Sequence, residues 1–386
     1  MFLIHLNVKK IDYNNKILLA LKTQSVKEIA GEFMDEKDHG GPDIAFNSSG
    51  DIEKVLNNYH VNLKIAKERE DKAGEGYAYG SLGNAFEQVG DLKKALYYYN
   101  MCLHIAKEVG DTPLKGKACG GLGNTYQKLG DFKKAVECHN LCLKLFKEMG
   151  DERNEGGAYS NLGIAYRCLG DLRKAIDYHT LHLEIAKKVG DRHSEARAYG
   201  NLGNAYHNLG DVKNAVEYHN LHLEICKEVG DKHGEGCAYG SLGIAYDSVG
   251  DFKKALNYHN LHLEITKEIG DKHGEGNAYG NLGISYYSLS DINKAIHCLE
   301  LCIEISKEVG DKHTEGAAYG NLGNAYKRLG NFKKAIQYHN LHLEIAKDVG
   351  DKHQEGSAYG NLSTSYKGLG DFRKAIDRKS TRLNSS

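Results

Sequence analysis

Histidine is the residue type that most readily suggests chemistry here, because several of the 20 histidines lie in pairs three residues apart. Four such pairs recur: His179/His182, His219/His222, His259/His262 and His339/His342. On a helix such pairs share one face and could offer two imidazole nitrogens to a metal ion. Equivalent positions elsewhere hold Tyr99 and Leu299, which a repeated ligand set would not tolerate. We therefore predict that these histidines pack between helices and that the chain holds no metal.

Motifs for catalysis are missing from the sequence. It contains no nucleophile elbow, P-loop or metalloprotease helix. Glycines that could suggest a phosphate loop, such as Gly200 and Gly203, lie inside a helical pattern that recurs in most repeats, whereas a phosphate loop follows a strand. Because repeats that differ so little offer no unique arrangement of side chains, we predict that the chain is not an enzyme and needs no cofactor.

Charge and composition limit the classes of partner that the chain is expected to bind. Lys plus Arg (51) nearly equals Asp plus Glu (52), which argues against nucleic acid as a partner because that interface needs a positive excess. No apolar run approaches the roughly 18–20 residues that span a bilayer, so membrane insertion is not expected. The nine cysteines are an odd number in a long chain and favour a reducing compartment. The expected location is cytoplasmic.

The element that must position all of these residues is a repeat of 40 residues. It starts at Asp71, Asp111, Asp151, Asp191, Asp231, Asp271, Asp311 and Asp351. In repeat 231–270, Leu242 and Tyr246 follow helical spacing, and no alternating strand pattern occurs. Gly250 is suited to end the first helix and Asp251 to cap the second. A constant period without insertions predicts an all-α solenoid in which every helix pair stacks on the next in one geometry.

The two-helix repeat resembles the tetratricopeptide repeat (TPR). The matching residues in one unit are Tyr199, Leu202, Gly203, Tyr206, Ala215 and His219. The resemblance implies a right-handed superhelix of antiparallel helix pairs. It also implies a concave groove, lined by the first helix of each pair, that binds an extended or helical segment of a partner protein.

Within that superfamily, the sequence of the repeats is similar to that of the Pins/LGN group of G-protein-signalling modulators and to that of arrays like tetratricopeptide repeat protein 28. The runs at 198–206, 218–225 and 227–231 carry this similarity, together with the tripeptide Leu-Gly-Asn that starts at Leu82, Leu122, Leu202 and Leu322. No GoLoco segment, which binds Gα subunits in that group, occurs in the sequence, so direct regulation of a G protein is not expected.

The repeat divides the chain into three parts. Residues 1–50 are out of pattern and are expected to be a degenerate repeat or a segment of low order. Residues 51–377 form the array. Within it, seven complete helix pairs are predicted over 71–350, with half repeats at 51–70 and 351–377.

The last residues, 378–386, look like the in-frame translation of a sequencing adapter and are predicted to be non-native. With this tail excluded, the second helix of the last pair is missing. Leu362 and Tyr366 are then expected to lack their cover, and the natural protein is expected to continue beyond Ile376.

The resemblance assigns candidate binding residues to two asparagine-rich rows, directly before and after Leu-Gly in the first helices. Their members are Asn84, Asn124, Asn161, Asn201, Asn204, Asn281, Asn321, Asn324 and Asn361. One turn further the residue varies, and the candidates are Arg167, His207, Tyr287, Lys327 and Arg328. Asparagine both donates and accepts hydrogen bonds, so the rows could pair with any peptide backbone while the variable row selects side chains. The alternative interpretation is that the asparagines only solvate a helix face.

These observations predict a non-enzymatic scaffold for protein–protein interaction, linked to cell polarity or G-protein signalling if the closer resemblance holds. A second hypothesis is a sensor or regulatory array that belongs to a larger signalling ATPase or other enzyme. Ile164, Ile244 and Ile284 interrupt the second asparagine row, so part of the groove is expected to be apolar.

Overall fold

The structure, a computed structural model, describes residues 49–385, of which the side chains of 52–378 are defined. The predicted atypical segment 1–50 lies almost entirely outside this range. The described residues form seventeen helices and no strand, which confirms the all-α fold class. The helices are α1 Ser49–Glu68, α2 Lys72–Gln88, α3 Leu92–Val109, α4 Thr112–Lys128, α5 Phe132–Met149, α6 Glu152–Cys168, α7 Leu172–Val189, α8 Arg192–Leu209, α9 Val212–Val229, α10 Lys232–Ser248, α11 Phe252–Glu268, α12 Lys272–Ser288, α13 Ile292–Val309, α14 Lys312–Arg328, α15 Phe332–Asp348, α16 Lys352–Leu369 and α17 Phe372–Ser385.

Most helix boundaries are set by a glycine and an aspartate. Gly250 has a φ of +81°, in the left-handed region that glycine adopts without steric cost, and it ends α10. Asp251 then caps α11, where its carboxylate accepts a hydrogen bond from the Lys254 amide at 3.2 Å. The turn predicted from the sequence is therefore confirmed. The even-numbered helices α2–α16 are the first helices of the pairs, and the odd-numbered helices α3–α17 are the second helices.

The two helices of a pair cross at a glycine. In the pair α8–α9, the ring of His219 lies so close to Gly203 that a β-carbon there would be 2.5 Å from its Cε1 atom. Ala215 is fully buried beside this crossing. Tyr206 and Tyr218 stack next to it with their ring centroids 5.3 Å apart. Small residues on one helix and flat rings on the other thus allow close approach of the two backbones.

Successive pairs are joined by a repeated arrangement of charge and ring. Lys227, near the end of α9, lies over the ring of Tyr239 in α10, 5.3 Å from its centroid. The buried carboxylate of Glu235 is 3.9 Å from Lys227 and 3.3 Å from Lys232. Because these residues recur in most repeats, most pairs meet the next in the same way; repeat 111–150 is an exception, with Lys115 and Cys119 in place of the glutamate and tyrosine.

The stack curves so that the first helices lie on its inner side. Consecutive first helices, such as α8 and α10, contact one another, whereas no comparable contact joins consecutive second helices within the described residues. In a curved stack, the elements at the smaller radius are closer together. The exposed face of the first helices therefore lines the inner surface.

The end of the array differs from the expectation that its last second helix is missing. The helix α17 continues through the predicted non-native tail to Ser385, so residues 351–385 form an eighth helix pair rather than a half repeat. The Ser363 hydroxyl joins the two helices by donating a hydrogen bond to the Ala375 carbonyl at 2.7 Å. In the chain with this tail present, Leu362 is fully buried and Tyr366 is half-buried.

Candidate functional site

The first helices present one exposed stripe towards the inner surface. In α8 the stripe is formed by His193, Arg197, Asn201, Asn204 and Asn208, which are spaced by three or four residues and are exposed or half-buried. The other side of the same helix is buried against α9. We call this stripe, taken over all eight first helices, the groove face.

The asparagines predicted as binding residues lie on the groove face, and none of them is buried. Asn84 and Asn204 are exposed. The half-buried members are Asn124, Asn161, Asn201, Asn281, Asn321, Asn324 and Asn361. Two of the rows' members already take part in contacts within the protein. The Asn84 carbonyl accepts a hydrogen bond from the Tyr99 hydroxyl at 2.5 Å, and the Asn201 amide donates to the Ser160 hydroxyl at 3.4 Å.

The variable row links neighbouring repeats, a role that the sequence interpretation did not give it. At its acidic members, Glu87 pairs with Lys128 of the next first helix at 2.9 Å. The Asp247 carboxylate accepts a hydrogen bond from the buried hydroxyl of Ser285 in the next first helix, whose oxygen is 2.9 and 2.8 Å from the two carboxylate oxygens. Asp247 is also 3.1 Å from the His259 ring. Both carboxylates therefore have partners within the array.

The basic and aromatic members of this row make similar links. The Arg328 guanidinium lies 5.0 Å from the ring centroid of Tyr287 and donates to the Tyr287 carbonyl at 2.9 Å. The Lys327 amine donates to Thr364 at 3.4 Å, and partial burial lowers its pKa. Arg167 and His207 are half-buried, and the His207 Nε2 atom lacks a hydrogen-bond partner. The variable row thus contributes both to the groove face and to the contact between repeats.

The paired histidines fill the helix crossings instead of facing the groove. His139, His179 and His339 are fully buried, and neither ring nitrogen of any of them has a hydrogen-bond partner. Burial lowers the pKa of His139 to about 4. Burial, together with the nearby charges of His182 and Arg167, lowers the pKa of His179 to about 3. These rings are neutral packing groups at physiological pH.

The second histidine of each pair also packs within the repeat. His262 is buried, and a β-carbon at Gly240 of the first helix would be 3.2 Å from its Nδ1 atom. Within the described part of the chain, no group of three or more His, Cys, Asp and Glu side chains has an arrangement that could hold a metal ion. The nine cysteines all have free thiols.

Sequence reasoning missed two rows of the groove face. Extending the stripe from Asn201 towards the start of the helix by four and eight residues reaches Arg197 and His193. In other first helices, the exposed residues at these two positions include Lys117, which is equivalent to Arg197, and Arg153, which is equivalent to His193. The histidines in the first turn of these helices are exposed, but His273 also lies 2.9 Å from Asp311, the cap of the next first helix. Helical periodicity applied to the whole first helix would have identified both rows.

Comparison with known proteins identifies the repeat. A family model described as tetratricopeptide repeat matches residues 117–188, 194–268 and 314–380, and a second model of the same description matches 276–309. None of the curated protein sequences compared with the chain matches it significantly. Of the helices in residues 49–385, none combines the length and apolar character needed to cross a membrane.

Solved structures share the fold at low sequence identity. The apo form of the quorum sensor NprR from B. thuringiensis has a TM-score of 0.64 at 16% identity, over 87% of this chain and 99% of that chain. A Rap protein solved in complex with competence and sporulation factor has a TM-score of 0.58 at 15% identity, over 88% and 100%.

A third fold relative is a larger protein. The signal transduction ATPase with numerous domains PH0952 from Pyrococcus horikoshii, which has a tetratricopeptide repeat sensor, has a TM-score of 0.59 at 20% identity. The match covers 86% of this chain but 53% of that protein, so the chain spans about half its length.

Proposed function

Because the chain belongs to the tetratricopeptide repeat family, we propose that it is a non-enzymatic scaffold that binds a segment of a partner protein along the groove face. The observation that carries this proposal is the continuity of the groove face, which runs over eight successive first helices and carries an asparagine on seven of them. Repeats of this family are typical of interaction scaffolds. A protein of the same fold, the Rap protein, was solved with competence and sporulation factor bound.

The spacing of the asparagines suits an extended peptide. Neighbouring helices pack about 8–10 Å apart, and an extended chain advances about 3.3 Å per residue, so each repeat corresponds to about three peptide residues. Amides such as Asn204 and Asn324 can then pair with peptide backbone groups whatever the side chains are. Affinity would come from these pairs, and specificity from the residues that differ between repeats.

The proposal is tested by selecting 16-residue peptides from a random display library against the full chain and measuring the affinity of the tightest one. Asn201→Ala combined with Asn204→Ala should weaken binding about thirtyfold, because two hydrogen bonds of about 1 kcal/mol each are lost. The helical circular dichroism signal should not change.

Asn220→Ala combined with Asn260→Ala is the matched control. Both side chains are exposed on second helices and donate to a carbonyl of their own helix. This control should retain full affinity. A failure to select any peptide would contradict the scaffold function, and equal losses in both variants would contradict the role of the asparagine rows.

Two finer assignments extend the proposal. The assignment of a cytoplasmic role in polarity or G-protein-linked signalling is based on the repeat sequences that resemble those of the Pins/LGN group. A regulatory array within a larger ATPase is favoured by the match to about half of PH0952, whose repeats are described as a sensor. The complete transcript separates them, since the second assignment requires a nucleotide-binding domain in the same chain.

A further inference from the structure

Positive charge is concentrated on one part of the groove face, although the whole chain has a net charge of −1. The first helices α4, α6 and α8 contribute Lys117, Arg153, Arg167 and Arg197, which are exposed or half-buried. We call these four residues the basic section. No other stretch of three first helices in the described array carries this many cations on the groove face.

The carboxylates near the basic section do not cancel its charge. Glu87, on the preceding first helix, is bound to Lys128 and to the Tyr99 hydroxyl. Asp191, the cap of α8, accepts hydrogen bonds from the Ser194 amide and hydroxyl. Its pKa is lowered by these bonds and by the nearby charges of Arg153 and Arg197. Asp191 therefore lies close to two of the four cations of the basic section.

The next part of the groove face carries two exposed isoleucines and no lysine or arginine. Ile244 in α10 and Ile284 in α12 are 44% and 43% exposed, and they occupy the row that holds asparagine in α8 and α14. Large aliphatic side chains left this exposed on adjacent helices gain free energy when another apolar group covers them. We call these two residues the isoleucine step.

Beyond the isoleucine step the groove face is basic again. Lys327 and Arg328 in α14 are followed by the exposed Lys367 in α16. The charged guanidinium of Arg328 lies over the ring of Tyr287. Along the array, two basic stretches therefore flank the isoleucine step.

We propose that the partner segment is an acidic peptide with aliphatic or aromatic side chains at its centre, which cover the isoleucine step while flanking carboxylates pair with the two basic stretches. This inference rests on the proposed scaffold function, and charge complementarity along the groove face carries it. With about three extended residues per repeat, the apolar centre lies about three to six residues from the nearest acidic residues.

A nucleic acid fits this surface less well. Phosphates could pair with the basic section, but a backbone with a charge at every nucleotide gains nothing from covering Ile244 and Ile284. The near-neutral net charge of the chain also gives no general attraction for a polyanion. A 16-nucleotide single-stranded RNA is therefore included as a competing probe.

The experiment starts from peptides selected at random against the full chain, as above. The selected peptides are expected to be net negative, with aliphatic or aromatic residues between the acidic ones. Raising the salt concentration from 0.05 to 0.5 M should weaken their binding, because the groove cations are exposed and are screened. Selected peptides that are neutral or basic would overturn the inference and leave the scaffold function intact, whereas no selected peptide at all would overturn both.

Variants designed from the other repeats avoid unfolding. Arg153→His, Arg167→Gln and Arg197→Ala introduce the residues found at the equivalent positions His233, Gln127 and Ala317. This triple variant should lower the affinity for the selected peptide about tenfold or more and remove most of its salt dependence.

The control removes the same number of charges outside the groove face. Arg173→Gln, Lys213→Gln and Lys253→Gln change exposed residues near the start of second helices and should leave affinity within about twofold. Equal losses in the two triple variants would show that only net charge matters and would contradict the inference.

The isoleucine step has its own test. Ile244→Asn with Ile284→Asn restores the residue that the equivalent positions Asn204 and Asn324 carry, so the fold should be kept. Affinity for the selected peptide should fall about tenfold, because two apolar contacts are lost. Unchanged affinity, or tighter binding of the RNA than of the peptide, would overturn the proposed pattern.

Discussion

Gly203 and Gly157 lie on equivalent first helices but on different sides of them. A β-carbon at Gly203 would be 2.5 Å from the His219 ring, whereas at Gly157, on the groove face, no atom lies within 4 Å of that position. At the helix crossing only glycine fits, whereas the groove face has space for larger side chains. This difference explains why one side of the repeat is almost constant and the other varies from unit to unit.

The crossing restricts the space available to the two helices more strongly than it restricts the chemical type of the side chain that packs on the glycine. Gly203 packs on His219, while the equivalent Gly83 packs on Tyr99 and Gly283 on Leu299. The partner can therefore be an imidazole, a phenol or an aliphatic side chain, provided that glycine faces it. A histidine at this position is a packing group whose only remaining chemistry is protonation.

The largest expected effect follows from that protonation. The pKa of His139 and His219 is lowered to about 4, and that of His179 and His339 to about 3, mainly by burial. The unfolded chain binds protons at a pKa near 6.5, so stability is complete above pH 6.5 and is lost as the pH falls towards the folded pKa values. At pH 5 each such histidine should cost about 2 kcal/mol, and thermal unfolding followed by circular dichroism should show a large fall of the midpoint between pH 7.5 and 5.0.

His179→Leu is the matched variant, because Leu299 occupies the equivalent crossing. It should lose less stability over the same pH range than the unmodified chain. The carboxylates with lowered pKa, such as Asp171, titrate below pH 3.8 and therefore do not contribute in this window. A midpoint that does not change between pH 7.5 and 5.0 would show that protonation of the crossings is not coupled to folding.

The next largest effect should come from adding one methyl group on either side of the first helix. Gly203→Ala should lower the free energy of unfolding by about 1–3 kcal/mol, because the His219 ring must move. Gly157→Ala should raise it by about 0.5–1 kcal/mol, because alanine is the better helix residue and meets no obstacle. Chemical denaturation of both variants measures the difference, and shifts of the same sign would refute the distinction between crossing and groove face.

The smallest effect concerns the turns, where the backbone rather than packing restricts the residue. Ser290 has a φ of +67° at a position that glycine occupies in the other inter-helix turns from Gly90 to Gly370. Ser290→Gly should stabilise the protein by about 0.5–1 kcal/mol through relief of this conformation, despite loss of the hydrogen bond from Arg328. Ser357→Gly, inside α16, should instead destabilise it by a similar amount, and a loss of stability in Ser290→Gly as well would show that the Arg328 contact outweighs the strain.

Prediction from the sequence succeeded where one repeat contains all the information. Gly250 and Asp251 act through their own backbone and the next few residues, so the turn could be predicted locally. Contacts between repeats could not be predicted in the same way. The ion pair of Glu87 with Lys128 and the hydrogen bonds of Ser285 with Asp247 depend on how far one pair is rotated against the next.

The sequence by itself determined the helices, their turns and the residues that face each crossing, because 40-residue periodicity repeats these local choices along the chain. Only the tertiary structure decided which side chains bind to a neighbouring repeat. The physical reason is that curvature sets the distance between successive first helices. That distance brings Arg328 onto Tyr287 and leaves Ile244 and Ile284 exposed.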